Sequence, residues 1–186
     1  MKQRLASLMV FGALLFGAGS AKADMLFSVG LDVPVAYSFN ASNLSGVAVN
    51  STNPSGFILS VSPPFMGSFG LAMEQYSVKA NTSLGSNTFD FAMYDLYYNV
   101  LSTGLHLDVG LGMGSINTAS GATVPLTSSV SASQLYLTAG FALMPMLDAH
   151  VGYHIVSASK GTAMGGAANG VDLSGKLVTV GVKFSF

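Results

Sequence analysis

The chain has no cysteine and no tryptophan among its 186 residues, and only 8% of them are charged. Without cysteine no disulfide staples the fold, and the thiolate routes to metal binding and nucleophilic catalysis are closed. Arginine is confined to Arg4, and beyond residue 23 the fixed cations are Lys79, Lys160, Lys176 and Lys183, set against 8 carboxylates. A balance so short of positive charge excludes nucleic acid as a partner, and any broad phosphate-binding surface with it. Missing too is a run of about 20 apolar residues able to cross a membrane as a helix, although 50% of the residues are hydrophobic. Charged residues normally supply about a quarter of a soluble globular chain. Dispersed apolar residues with so little charge fit a protein whose outer face meets lipid.

What is present begins with an address. Lys2 and Arg4 form a basic start, Leu5 to Gly19 an apolar stretch, and Ala21-Lys22-Ala23 a small-x-small cleavage site. This pattern predicts a signal peptide over residues 1–23, removed before Asp24, and a single mature domain over residues 24–186.

Within that domain the apolar residues recur with a period of two, as strands require. From Phe27 the odd positions read Phe27, Val29, Leu31, Val33, Val35, Tyr37, Phe39; the even ones carry Ser28, Gly30, Asp32 and Pro34. The alternation returns over 105–114 and 147–155, and more weakly over 57–62, 67–79, 88–98, 134–143 and 177–186. The apolar phase slips near Glu74 and Asp95, which predicts a bulge or a change of environment. Short connections (63–66, 99–104, 144–146) alternate with Ser-, Gly-, Ala- and Asn-rich ones (40–55, 80–87, 117–133, 157–169), as periplasmic turns alternate with external loops. Backbone in lipid must be paired within the protein, so the sheet must close. The expected fold is all-β: a closed antiparallel up-and-down transmembrane β-barrel of eight strands. Phe27, Phe65, Tyr98, Phe141, Phe184 and Phe186 would form the aromatic girdle at the periplasmic end, and Tyr37, Phe39, Phe57, Phe89 and Tyr153 the one at the outer end.

Val178, Val180, Val182, Phe184 and Phe186 alternate to a terminal phenylalanine, and so resemble the C-terminal strand by which bacterial outer-membrane proteins are recognised for insertion. The mature chain as a whole resembles the small eight-stranded barrels of the OmpA, OmpX and OmpW type. Asp95 to Gly112 is similar to a stretch in a family of uncharacterised outer-membrane β-barrels of proteobacteria, which implies no known activity. The resemblance implies the bacterial outer membrane as location, outer-membrane lipid and lipopolysaccharide as surroundings, and the barrel insertion machinery as a partner through the strand ending at Phe186. No cofactor is implied, and a monomer is the expected state.

Asp32, Glu74, Asp90, Asp95, His106, Asp108, Asp148, His150, His154 and Lys183 fall on the face expected to point inward. If the turn at 99–104 pairs Tyr98 with Leu105, Asp95 lies opposite Asp108 and Tyr97 opposite His106. Like charges directly opposite are destabilising, and a shared proton, a charged His106 or His150, a bound cation or Lys183 would relieve them. Asp32, Asp95, His106, Asp108, Asp148, His150 and Lys183 are therefore expected to form an internal polar network. Replacing Asp108 by asparagine would then leave the barrel at least as stable. Divalent metal binding by His106, Asp108 and His150 is an alternative without diagnostic ligand spacing.

Some eight-stranded barrels are lipid A deacylases, whose His and Ser sit on the penultimate strand with an acid after the last external loop. His154, Ser157 and Asp172 resemble that layout loosely. The family's His-x-Ser puts both residues on one face, whereas His154 and Ser157 are three apart and point to opposite faces. The glycine run Gly110-Leu-Gly-Met-Gly114 alternates within a strand and opens no helix, so it is no nucleotide loop; its inward glycines would leave room for rings such as Tyr136. The 10 methionines read as apolar filler.

The expected function is a non-enzymatic structural or surface-interaction role, since eight strands leave an interior that side chains can fill. An OmpW-like conduit for small hydrophobic molecules is the alternative, and a lipid A-modifying enzyme the third. Mass spectrometry of the protein purified from outer membranes should give a chain beginning at Asp24, migrating faster on a gel when unheated; a mass that retains residues 1–23 would remove the argument for cleavage.

Overall fold

The computed structural model describes residues 27–40, 43–44, 47–48, 50–51, 53–82, 85–101, 105–118, 129–144, 146–159 and 172–186. The expected signal peptide and the cleavage point before Asp24 lie outside the described residues.

Eight long strands form the barrel: β1 (Ser28–Phe39), β2 (Ser55–Ser62), β3 (Phe69–Thr82), β4 (Gly85–Leu101), β5 (Leu105–Thr118), β6 (Val130–Met144), β7 (Leu147–Ala158) and β8 (Gly175–Ser185). Each pairs antiparallel with its neighbours in sequence, and β1 pairs with β8 from Ser28↔Ser185 to Phe39↔Gly175, which closes the ring. Asn50–Ser51 pairs with β3 at Asn81 and Ala80, continuing the sheet beyond the start of β2. A two-residue pair, Asn43–Leu44 with Val47–Ala48, stands apart from the barrel.

The strands follow the period of two because one face meets lipid and the other the lumen. Leu31, Leu59, Leu71, Leu96, Leu111, Leu137, Val151 and Val180 point outward and are exposed, while Asp32, Glu74, Asp95, His150 and Thr179 point inward and are buried. In β3 and β4 the expected bulge near Glu74 and Asp95 is absent: the ladder runs from Phe69↔Tyr98 to Thr82↔Gly85 without a shift. What changes there is the environment. Above Glu74 the inward side chains become Tyr76, Val78 and Ala80, and above Asp95 they become Met93, Phe91 and Phe89, all buried.

The same ladder corrects a connection. The expected external loop at 80–87 is mostly strand, with two residues between Thr82 and Gly85 outside the description. The turn from β2 to β3 is a single 3-10 turn, Pro64–Met66, closed by Gly67 at φ 62°, where a side chain would be strained.

A bulge accounts for Tyr37, and an unbroken phase along β4 for Phe89 and Asp90. Val35 is an extra residue between Pro34↔Thr179 and Ala36↔Val178, so Val35 and Ala36 both face outward and Tyr37 turns inward at 3% exposure. Phe89 is likewise inward, at 2% exposure. Tyr37 and Phe89 therefore leave the expected outer girdle, and Phe39 packs against the core; Phe57 and Tyr153 remain exposed on the outward face. At the terminal end, where β1 begins and β8 finishes, Phe65, Phe141, Phe184 and Phe186 are exposed, as a girdle requires. Asp90, expected inward, is half-buried on the outward face and accepts a hydrogen bond from Ser77 Oγ.

The lumen is filled in two layers. Tyr37, Tyr76, Phe91, Ile116, Leu173 and Leu177 belong to an apolar core in the half away from the termini. Tyr76 stacks on Phe91 at 4.7 Å, and Tyr37 donates to the Leu173 carbonyl at 2.8 Å. Burying rings of this size stabilises by about 2 to 3 kcal/mol each. The terminal half holds the charged residues.

Arginine in place of Val109 or Val151, both outward at mid-height, should cost about 2 to 4 kcal/mol in folding into lipid vesicles, whereas arginine at Ser129, just before β6, should be nearly silent. Equal costs at the two kinds of site would refute these faces.

Candidate functional site

The charged residues of the terminal half come from all strands except β2 and β6, each at an inward position of its own alternation. On β5, His106 and Asp108 are two apart and so share a face, and His106 Nε2 hydrogen-bonds Asp108 Oδ2. The same oxygen accepts from Lys183 Nζ of β8 across the lumen at 3.2 Å. The Lys183 ammonium also lies 5.2 Å from the centre of the Tyr97 ring, a favourable cation–π placement. Tyr97 in turn shares a 2.6 Å hydrogen bond with Ser62 Oγ. On the neighbouring side Asp32 of β1 pairs with His150 Nε2 of β7 at 2.7 Å, and the His106 and His150 rings meet edge to face at 5.4 Å. Both imidazoles present Nε2 to a carboxylate, which places a proton on that nitrogen.

A second group sits toward mid-height. His154 Nδ1 lies 3.3 Å from Glu74 Oε1, within ion-pair range but without hydrogen-bond geometry. The His154 ring is stacked on Tyr136 at 4.7 Å. Asp95 accepts from Gln134 Nε2 at 2.7 Å. Glycines make room for these side chains: a Cβ on Gly110 would overlap the Tyr136 ring, and one on Gly112 would overlap Asp95 and approach Gln134. A cavity of about 30 Å³ lies among Asp32, Glu74, His106, Asp108, His154 and Lys183, enough for about two water molecules.

The expected network is thus partly assembled. Asp32, His106, Asp108, His150 and Lys183 come together. Asp148 is half-buried opposite Lys183 in the β7–β8 ladder, yet the ammonium goes to Asp108, and Asp148 makes no ion pair among the described residues. The expected Asp95–Asp108 juxtaposition is wrong. Tyr98 pairs with Val109 rather than Leu105, so the hairpin is shifted by four residues (109 − 105); Asp95 faces Gly112 and Asp108 faces Asn99. The continuation of β4 to Leu101, which pairs with Leu107, causes the shift, and the extra residue Val100 brings it back from five residues to four. The acid beside Asp95 is Glu74, on β3. Glu74, His154 and Gln134 were absent from the expected network, although each lies on the inward phase of its strand.

Among the described residues no three histidine, aspartate or glutamate side chains converge as a metal site. The deacylase-like set is also dispersed: His154 is buried inward, Ser157 is exposed outward, and Asp172 accepts from the Ser174 backbone N–H at 2.9 Å.

With lipid-compatible side chains around the outside, no open sheet edge from β1 to β8 and a packed interior, the chain is a small eight-stranded β-barrel of the outer-membrane type. Among solved structures it is similar to the outer membrane protein OprG from Pseudomonas aeruginosa, at 13% identity over 86% of this chain and 95% of that one, with a TM-score of 0.53. It is similar also to Neisserial surface protein A, at 13% identity over 86% of this chain and 97% of that one, with a TM-score of 0.60. At this identity the likeness is one of fold. No protein-family model matches the sequence, and no curated protein matches it.

The corrected register reverses the expectation for Asp108. Asp108→Asn removes the anion that Lys183 and His106 share, leaving a buried ammonium unpaired, and should destabilise by about 3 kcal/mol or more. Lys183→Met should cost less, because Asp108 keeps His106. Urea unfolding in lipid at pH 7 compares them; a neutral Asp108→Asn would place Lys183 elsewhere.

Proposed function

We propose that the protein is an integral barrel of the bacterial outer membrane with a structural or surface-interaction role, exported behind a cleaved signal peptide and acting neither as a porin nor as an enzyme. One observation carries this reading: the lumen is occupied by packed side chains in both halves, charged and hydrogen-bonded below, apolar above. A barrel filled in this way has no aqueous path, and its function falls to the ends of the strands. The end opposite the termini is then external, surrounded by lipopolysaccharide. The terminal end is periplasmic, and the strand ending at Phe186 is the one read by the insertion machinery.

A second reading, a lateral conduit for small hydrophobic molecules, is favoured by one feature. The β1–β2 ladder stops at Asp32↔Ile58, although β1 continues to Phe39 and β2 begins at Ser55. Pro34 has no N–H to offer there. Gly56, at φ 152°, pairs with Tyr76 of β3, and a Cβ there would overlap the Gln75 carbonyl. Val33, Val35 and Phe57 border the seam.

Purified protein in lipid vesicles should give neither ion conductance steps nor sugar efflux, and linking Val33→Cys to Phe57→Cys across the seam should leave uptake of a hydrophobic dye unchanged. Conductance on the scale of a porin would refute the first reading. Dye uptake abolished by the cross-link would put the lateral conduit in its place.

A further inference from the structure

We propose that Glu74, Asp95 and Gln134 form an internal site for one divalent cation of the calcium class, which ties β3, β4 and β6 together inside the lumen.

Glu74 and Asp95 are diagonal neighbours on the inward face of the β3–β4 ladder, where Glu74 pairs with Met93 and Asp95 with Ala72. The two acids are 1% and 4% exposed. Neither oxygen of Glu74 has a hydrogen-bond partner, and Asp95 Oδ2 has none. Gln134 is 4% exposed; its amide nitrogen is spent on Asp95 Oδ1, and its Oε1 is also without a partner. Four oxygens from two carboxyl groups and an amide are thus buried without a hydrogen-bond donor, the His154 Nδ1 at 3.3 Å from Glu74 Oε1 standing outside hydrogen-bond geometry. Two carboxylates left so would be strongly destabilising. The fixed cation of this interior, Lys183, is taken by Asp108.

The arrangement is built into the backbone. Gly112 of β5 stands between Asp95 and Gln134 in the ladder, paired with both. Any side chain there would overlap the Asp95 carboxylate and press on the Gln134 stem. Because residue 112 has no Cβ, residues from strands on either side of β5 meet across it. Oxygen donors alone select a hard cation, and two carboxylates match a double charge. Magnesium demands a near-ideal octahedron and keeps several waters, whereas calcium accepts six or more oxygens in irregular geometry. Glu74, alone of the three, lines the cavity of about 30 Å³, which on that side has room for about two waters of a calcium shell begun by protein oxygens but not for a mostly hydrated magnesium ion.

The test uses the folded barrel purified in detergent, dialysed against chelator and titrated with CaCl2. Calorimetry should show about one ion bound per chain. The unfolding temperature should fall on chelation and recover with CaCl2, not with equal MgCl2. Glu74→Gln and Asp95→Asn should each weaken binding at least about tenfold, and Asp148→Asn should not. Should those variants fail to fold, terbium added to the dialysed wild type reports independently: an ion in this site lies near Tyr76 and Tyr136 and emits on tyrosine excitation. A wild type that binds no calcium and is indifferent to chelator overturns the proposal and leaves the carboxyls sharing a proton. Undiminished binding in both variants, or terbium bound without sensitised emission, places the ion elsewhere and overturns it as well.

Discussion

The ladder between the first and last strands is the constraint on which the rest of this molecule depends. In lipid an open sheet edge would leave a row of N–H and C=O groups with no partner, each costing several kcal/mol. Here β1 and β8 pair over their whole length, and Phe27 and Phe186 exchange both backbone hydrogen bonds, at 2.8 and 2.9 Å. The last residue of the chain therefore completes the ring. Closure at this strand number also fixes a narrow lumen, and from that narrowness follow both the filled interior and the small residues that admit it.

A narrow lumen turns every inward carboxylate into an electrostatic problem with few solutions. Asp108 is answered by Lys183 from the opposite wall and His106 from its own strand, and Asp32 is answered by His150. These pairs span β1, β5, β7 and β8, so they also set how those strands sit across the lumen. Burying such pairs need not add stability over an apolar filling, yet removing one member leaves an uncompensated charge. Space is handled by the same residues in reverse. Gly110 admits Tyr136, Gly70 admits Tyr97, and Gly112 admits Asp95. The glycines that read in the sequence as a run are sockets for the largest and most charged side chains of the neighbouring strands.

Much of this was legible from alternation alone, because lipid and lumen impose opposite polarity on successive residues. The eight strands, their order and the inward placement of Asp32, His106, Asp108, His150 and Lys183 all follow from it. Two kinds of feature were not. A bulge such as that at Val35 reverses the phase with no signal beyond the nearby Pro34, so Tyr37 was read outward when it is buried. The β4–β5 register was misread for a different reason: a slip by four residues returns every side chain to the same face, so the hydrophobic pattern is equally satisfied before and after it. Only an odd slip would have betrayed itself. The partner of Asp95 was therefore hidden even though its direction was plain, and with it the contact with Glu74 on the other side of β4.

The interior is asymmetric, and that asymmetry decides what kind of protein this fold can serve. A charged layer alone could in principle rearrange and admit water, because its pairs have alternative partners within a few ångströms. The apolar layer above it cannot. Val78, Ile116, Val156, Leu173 and Leu177 are fully buried, and separating them would expose hydrocarbon that has no polar compensation. The Tyr37 hydroxyl is bonded to the carbonyl of Leu173, outside the strands, so the apolar layer is also tied to the chain leading into β8. Permeation along the axis would require both layers to open together. The β1–β2 seam needs neither, since it lies in the wall where the ladder has already ended. Among the described residues a passage would accordingly be sideways and for apolar molecules, which is why the lateral conduit stands as the alternative to the structural role proposed above.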